Sequence, residues 1–374
     1  MALGRLDSVR RVRSAVAALT VLAAPAAVAQ PQWKLTESLR IGGAESGPAA
    51  LQYVKSIEVD ALGRILIYDR STQDVRMFAP DGKFVRTFSR KGSGPGEMRD
   101  AEGIVIVPGG NIWARDAANA RFTVWDSAGK FLKQWTMHYC WSQGAWYPRI
   151  DARRRIVDFD CVVKDNRADG SAWVAYRTDM SGVDTLGAVP ECGTRALAEA
   201  GTWITRTARG GSYRSIPWAP GSSSAHTAAG LLWCVPNSSQ YEIIGVRDGS
   251  KDTVRVRRDA PRVPVTPFER DSVIAIYESR GPSGLDFSRI PKEKPAIDRL
   301  MLDVQDQLWV RHTGPGGTIQ FDVFSANGRL IATASLGVVN SSVYQPYLIR
   351  RDALYLVALD EDDVPRIVRY DIRR

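Results

Sequence analysis

SIEVDALGRILIYDRSTQDVRMFAPDGKFVRTFSR at residues 56–90 and GIVIVPGGNIWARDAANARFTVWDSAGKFLKQW at residues 103–135 are the same short sheet written twice. A shift of 47 positions lays Gly63 on Gly110, Ile65 on Ile112, Asp69 on Asp116 and Phe78 on Trp125. The same shift lays Gly82-Lys83-Phe84 on Gly129-Lys130-Phe131 and Phe88 on Trp135. Self-similarity at a period of about 40–50 residues, with several short strands per unit, marks a propeller blade. A blade has four antiparallel strands, a (innermost) to d (outermost). Within the first unit Gly63-Arg64 makes the a–b turn, Ile65–Tyr68 strand b, Val75–Phe78 strand c and Phe84–Phe88 strand d. Between the last two, Asp81-Gly82 supplies the positive φ that a tight hairpin requires.

The template recurs downstream. Asp306–Val310 and Val323–Leu330 repeat strands b to d of the second unit, and Tyr347–Arg350, Ala353–Ala358 and Arg366–Tyr370 give three strands of a last unit. Two diverged units lie between, traced by Ile156–Phe159, Trp173–Arg177, Leu231–Val235 and Tyr241–Val246. The blades therefore fall at about 56–90, 103–135, 146–186, 223–258, 299–336 and 345–372. Lys34-Leu35, Leu39 and Gly42-Gly43 copy Lys83-Phe84, Phe88 and Gly92, so residues 33–41 are expected to supply the missing outermost strand of the last blade. Such a clasp removes exposed sheet edges, which invite aggregation. The expected fold is all-β, a six-bladed β-propeller closed by an N-terminal strand.

Two insertions interrupt the rhythm, Val189–Gly221 and Val263–Pro295. In the second, Thr266-Pro267-Phe268-Glu269 starts a helix with Thr as N-cap, Pro at N1 and Glu at N3. Phe268, Val273, Ile276 and Tyr277 are expected to give it one apolar face.

Composition sets wider bounds. Hydrophobic residues make 44% of the 374-residue chain and charged residues 24%, ordinary for a protein with a sizeable core. Arg5, Arg10, Arg11 and Arg13 precede an apolar run from Ala15 to Val28, and Ala27-Val28-Ala29 offers a small-x-small cleavage site, so residues 1–29 read as a secretory signal. Export to a periplasm or the medium is expected, with no transmembrane segment in the mature chain. Removing that segment reduces the formal charge from +9 to +6, with acidic and basic residues interspersed. That pattern suits solubility and gives no nucleic-acid footprint. A monomer is expected.

The blade pattern Pro108-Gly109-Gly110-Asn111-Ile112-Trp113, then Asp116, Asn119, Arg121 and Val124, resembles the NHL-type six-bladed β-propeller. The likeness is strong over Trp33–Trp135 and Leu300–Leu336 and weak across Tyr139–Pro261. It implies a group of exported bacterial propellers that act as binding platforms or, more rarely, as enzymes such as amidating lyases and lactonases. Fold says little about which.

Ligands of propellers sit at the channel mouth where the d–a and b–c loops gather. Alignment by strand b puts Lys55, Glu102, Trp146, Ser222, Asp298 and Tyr344 at the start of strand a. Glu102 and Asp298 fall on blades that face each other across the ring, too far apart to share a proton or, unaided, a metal. His138, His226 and His312 come from three blades but occupy unrelated positions, which argues against a zinc site. No cofactor is expected. Cys140, Cys161, Cys192 and Cys234 suit disulfides in an exported chain, and the repeat favours Cys140–Cys161 and Cys192–Cys234. Gly92-Ser93-Gly94-Pro95-Gly96 lacks the Lys-Ser/Thr of a phosphate loop and reads as a flexible crossover. Trp113, Trp233, Trp309 and Tyr355 share one strand-b column and read as inter-blade packing. Trp141, Trp146, Trp203 and Trp218 sit in or beside long d–a loops. The sequence therefore suggests a binding module that takes a glycan, peptide or protein partner near Glu102, Trp146, Trp218 and Asp298. The competing reading is a metal-dependent lactonase, hydrolase or lyase.

Overall fold

The computed structural model describes residues 30–137, 148–164, 167–187, 195–207, 210–250, 252–280, 284–342 and 344–374. The leader expected at residues 1–29 and Trp146 lie outside them. The chain is a six-bladed β-propeller. Blade 1 is Val54–Val59, Ile65–Asp69, Asp74–Phe78 and Phe84–Phe88, and blade 2 is Ala101–Ile106, Ile112–Asp116, Arg121–Trp125 and Phe131–Thr136. Blade 3 is Arg149–Ile150, Ile156–Lys164, Arg167–Tyr176 and Val183–Gly187; blade 4 is Ser223–His226, Leu231–Val235, Glu242–Arg247 and Thr253–Arg257. Blade 5 runs through Arg299–Leu302, Leu308–Thr313, Ile319–Phe324 and Leu330–Leu336, and blade 6 through Tyr347–Ile349, Ala353–Leu359 and Pro365–Arg373.

The N-terminal strand, Gln32–Gly42, lies antiparallel to Pro365–Arg373, with Lys34 opposite Arg373 and Gly42 opposite Arg366. Its first residues also run parallel to blade 5, Gln32 opposite Thr333 and Lys34 opposite Ser335. Blades 5 and 6 thereby merge into one eight-stranded sheet.

Apolar residues on both faces of the blades gather into six clusters, one at each junction. At the junction of blades 6 and 1, Ile41, Tyr355, Val357 and Ile367 meet Ile57, Ile65 and Phe78. Trp113, Trp233 and Trp309 are fully buried, as their column position suggests. Trp33 packs 5.6 Å from Trp309 in the cluster between blades 5 and 6, under the Arg374 guanidinium.

A seventh cluster lies outside the ring and joins the two insertions. Helix α1 (Arg195–Ala200) and a hairpin of Thr202–Thr207 and Gly210–Ser215 come from the first; helix α2 (Pro267–Arg280) comes from the second. Trp203, Ile216 and Ile290 form its centre. The Trp203 indole donates to the Asp286 carbonyl at 2.8 Å, and Arg289 donates to the Glu199, Ala200 and Thr202 carbonyls. The capping box at Thr266 and Glu269 is formed in both directions. The helix presents a different face from the one its sequence suggests. Val273, Ile274 and Tyr277 pack inward, whereas Phe268 and Ile276 stay exposed. The core-facing arc is set by where the hairpin and Phe287 lie, which helical periodicity alone does not encode.

Trp33 makes the N-terminal strand's value measurable. Trp33→Ala should lower unfolding stability by about 3–5 kcal/mol. An unchanged denaturant midpoint would show that the strand carries little of the stability.

Candidate functional site

The d–a and b–c loops share one face, and buried side chains hold the loops between blades 6, 1 and 2 in place. At the end of strand b in blade 1, Asp69 accepts from the backbone N–H of Gln52 at 2.7 Å and of Tyr53 at 3.2 Å. Arg76 donates to the carbonyls of Pro48 and Ala50 in the same incoming loop. Blade 2 repeats the device: Asp116 accepts from the N–H of Arg99 and Asp100, and Arg121 donates to Ser93, Gly94 and Glu97. Asn119 adds a bond to the Gly92 carbonyl. The glycine-rich crossover is therefore pinned rather than flexible. The Glu97 carboxylate folds beneath it and accepts from the Gly94 N–H, leaving no room for a Cβ at Gly92. The Asp, Asn and Arg of the repeat pattern are spent on loop architecture.

On this rim Tyr53 is 43% exposed, with Lys55 Nζ 5.4 Å and Arg70 Cζ 5.7 Å from its ring centroid. Tyr344, on the neighbouring blade, is 77% exposed. Asp298 is half-buried and accepts from the Thr313 hydroxyl at 3.0 Å; burial raises its pKa. Ser222 is exposed. Trp218 is half-buried against the satellite cluster. Ser238, in the b–c loop of blade 4, ties that cluster to the same face by bonding Gly221 and the Ile297 N–H.

Glu102 is not offered to the open mouth. It is buried, and its carboxylate lies 3.1 Å from Arg115 Nε. The guanidinium also meets Asp158 and Asp160 of blade 3, each at 2.7 Å. The Tyr176 hydroxyl donates to Asp160. Three carboxylates thus share one buried cation. Burial, reinforced by Asp160 and Glu102, pushes Asp158 up to about 7 although Arg115 pulls it down. Arg115, Asp158 and Asp160 escape the search for motifs. Their signal is two acids in alternation within Ile156–Asp160, a strand-b segment otherwise apolar.

The innermost strands carry a second acid, the half-buried Glu58. Residues facing the strand-b tryptophan column occupy one level of the six strands: Glu58, Val105, Arg149, Ala225, Met301 and Leu348. Arg149 of blade 3 reaches blade 5, donating to the carbonyls of Leu302 and Asp303 and to Asp306 Oδ1 at 2.9 Å. Arg350 of blade 6 donates to the Val59 carbonyl of blade 1 at 3.2 Å. Arg350 and Arg149 both favour the ionised form of Glu58, although neither bonds it among the described residues. Desolvation raises its pKa to about 8 against the pull of Arg350 and Arg149.

His226 bonds Asp248 at 3.1 Å and lies against Trp173, while His312 is 3.6 Å from Asp322. These two histidines do not converge; His138 lies outside the described residues. Among the described residues no group of three or more His, Cys, Asp or Glu is arranged to hold a metal. Cys234 is fully buried and disulfide-bonded. The other three cysteine side chains lie outside the described ones. No described helix is long and apolar enough to cross a membrane.

These features define a six-bladed propeller with a loop-bearing rim. A family described as a 6-bladed beta-propeller matches residues 49–149. Comparison with curated proteins finds no match. Among solved structures the chain is similar to a putative exported protein from Bacteroides fragilis, with 14% identity, TM-score 0.50, and 91% of this chain and 96% of that one covered. It is also similar to virginiamycin B lyase from Staphylococcus aureus, with 12% identity, TM-score 0.47 and coverage of 91% and 99%. Regucalcin, a calcium-binding protein from Agrobacterium tumefaciens, gives 10% identity, TM-score 0.42 and coverage of 91% and 96%. At these identities the likeness concerns the fold. It agrees with the six-bladed propeller expected from the blade repeat.

Glu58 has a consequence for stability. The unfolded carboxyl releases its proton near the model value of 4.5 and the folded one near 8, so folding retains a proton across that window. Stability from this group is present below the lower value and declines as pH rises to the upper one. Glu58→Gln should therefore stabilise the protein by roughly 2 kcal/mol at pH 8, a figure discounted for solvent in the bore, and leave it unchanged at pH 4. Parallel stability–pH profiles for the two proteins would contradict the enclosed placement.

Proposed function

We propose that the protein is an exported binding module, released from residues 1–29, that acts as a monomer in a periplasm or outside the cell. Its partner is a glycan, peptide or protein held on the rim bearing the d–a loops. The observation that carries this reading is the pair of exposed tyrosines, Tyr53 and Tyr344, on adjacent blades of that rim. Exposed aromatics stack on sugar faces and anchor peptides at low entropic cost. The clamps at Asp69, Arg76, Asp116 and Arg121 fix the loops around them before any partner arrives, which lowers the cost of binding. Lys55 beside Tyr53, and Asp298 farther round the rim, supply polar contacts. Trp218 extends the surface towards the satellite cluster, and Trp146, outside the described residues, belongs to the same proposed site by its sequence position.

Glycan and peptide arrays followed by calorimetry test this. Tyr53→Ala and Tyr344→Ala should each weaken the best hit by about tenfold or more while leaving the melting temperature unchanged. Full affinity in both variants would remove the rim from consideration. A stoichiometric divalent ion in the purified protein, with hydrolase or lyase turnover that depends on it, would favour the enzyme reading instead.

The disulfides we assign are Cys140–Cys161 and Cys192–Cys234, bracing the diverged blades 3 and 4. Non-reducing peptide mapping should recover both; a Cys140–Cys234 or Cys161–Cys234 peptide would refute the pairing.

A further inference from the structure

We propose that a cleft at the loop-bearing end of blade 4 binds a neutral oligosaccharide through vicinal hydroxyl groups. It is separate from the rim tyrosines, which sit on the loops entering blades 6 and 1.

The cleft has a volume of about 620 Å³ and is lined by Gln240, Tyr241, Glu242, Arg257, Arg258 and Asp259. That size lies within the range of small-molecule sites. The first three residues lead from the b–c loop into strand c, and the last three leave strand d. The ladder sets them side by side, with Glu242 opposite Arg257 and the Arg258 N–H donating to the Tyr241 carbonyl at 3.2 Å. Ion pairs fix the walls before any ligand arrives. Glu242 Oε1 accepts from Arg257 Nε at 3.0 Å and Nη2 at 2.7 Å, and from Arg255 at 3.3 Å. Arg258 lies over the Tyr241 ring, 5.8 Å from its centroid, and meets Asp322 of blade 5 at 2.7 Å. The Tyr241 hydroxyl donates to the same carboxylate at 2.5 Å. Among the described residues, four groups of the lining make no hydrogen bond: Glu242 Oε2, Arg257 Nη1, the Gln240 amide and the Asp259 carboxylate.

This lining turns two ligand classes away. Nothing apolar is open to a hydrocarbon, because Tyr241 is buried and its ring lies beneath Arg258. A charged ligand meets both signs at once: Arg257 and Arg258 oppose a cation, and Glu242 and Asp259 oppose an anion. Seating either ion would require breaking a pair already made. A sugar needs no such exchange, since each hydroxyl both donates and accepts. One hydroxyl of a vicinal pair donates to Glu242 Oε2 or Asp259 while its neighbour accepts from Arg257 Nη1 or the Gln240 amide. The Arg257 hydrogen bond holds the Glu242 carboxyl below its usual range, which keeps it an acceptor at neutral pH. Because the cleft is open to solvent, the sugar chain can continue beyond the bound ring.

Calorimetry with maltotriose, cellotriose, xylotriose and mannotriose tests the site, with trigalacturonate as the anionic control. At least one neutral trisaccharide should bind saturably and more tightly than trigalacturonate. Its affinity should be the same at pH 6 and pH 9 and should not fall at high salt, because the ligand carries no charge to screen. Gln240→Ala and Asp259→Ala, both at exposed positions, should each lower that affinity about tenfold without moving the melting temperature. Tyr53→Ala and Tyr344→Ala should leave it intact, so failure of the cleft and failure of the rim are read separately. Three results would overturn the proposal: no saturable binding of any of the four neutral sugars, full affinity in both cleft variants, or tighter binding of trigalacturonate.

Discussion

Burial on both faces of every blade is the constraint on which the rest depends. A sheet with one wet face tolerates alternation, but here each blade is packed between two others, and strands b and c are apolar nearly throughout. Ile65–Asp69, Ile112–Asp116 and Leu231–Val235 are buried at every position. A polar side chain survives in such a place only with a partner, because an unpaired buried charge costs several kcal/mol. The buried polar residues of the rim follow from that rule. Asp69 and Asp116 are retained because loop N–H groups come to them, and Arg115 because three carboxylates do.

The same rule separates architecture from recognition. Residues that give the blade pattern its polar signature point into the loops and hold them still. Residues left facing solvent on the rim, Tyr53 and Tyr344, are not repeated in kind from blade to blade. On the proposed reading, recognition is carried by what differs between blades, and rigidity by what recurs. The satellite cluster extends that division: Trp203, Tyr277 and Arg289 are consumed in joining the two insertions, so the cluster presents its outer faces while its aromatic interior is structural.

Legibility in the sequence tracks how local each interaction is. The blade order is readable because Gly63 and Gly110 mark equivalent turns and the tryptophan column repeats one register. The capping box at Thr266 spans three residues and was equally plain. Arg115 was not, because its partners arrive from strand a of its own blade and strand b of the next, 43 and 45 residues on for Asp158 and Asp160. The union of the two insertions was hidden for the same reason, since Trp203 and Ile290 are 87 positions apart with blade 4 between them in sequence. Glycine content at Gly92–Gly96 signals a permissive backbone but not its immobility, which comes from Glu97 folding beneath the loop.

Glu58 shows why enclosed positions merit separate attention from rims. An acid on an innermost strand has neighbours from blades that sequence places hundreds of residues apart, and no spacing rule connects them. Its environment is set by the ring as a whole: blade 3 sends Arg149 across the bore, blade 6 sends Arg350 over the first a–b turn, and neither reaches it. In water such a separation would matter little, because the dielectric would screen it. On the inner strands it leaves a carboxyl that prefers its proton at neutral pH and, among the described residues, a guanidinium with no paired carboxylate. Rim and inner strands thus differ in what their polar groups face: loop N–H groups hold Asp69 and Asp116, whereas burial alone sets the proton on Glu58.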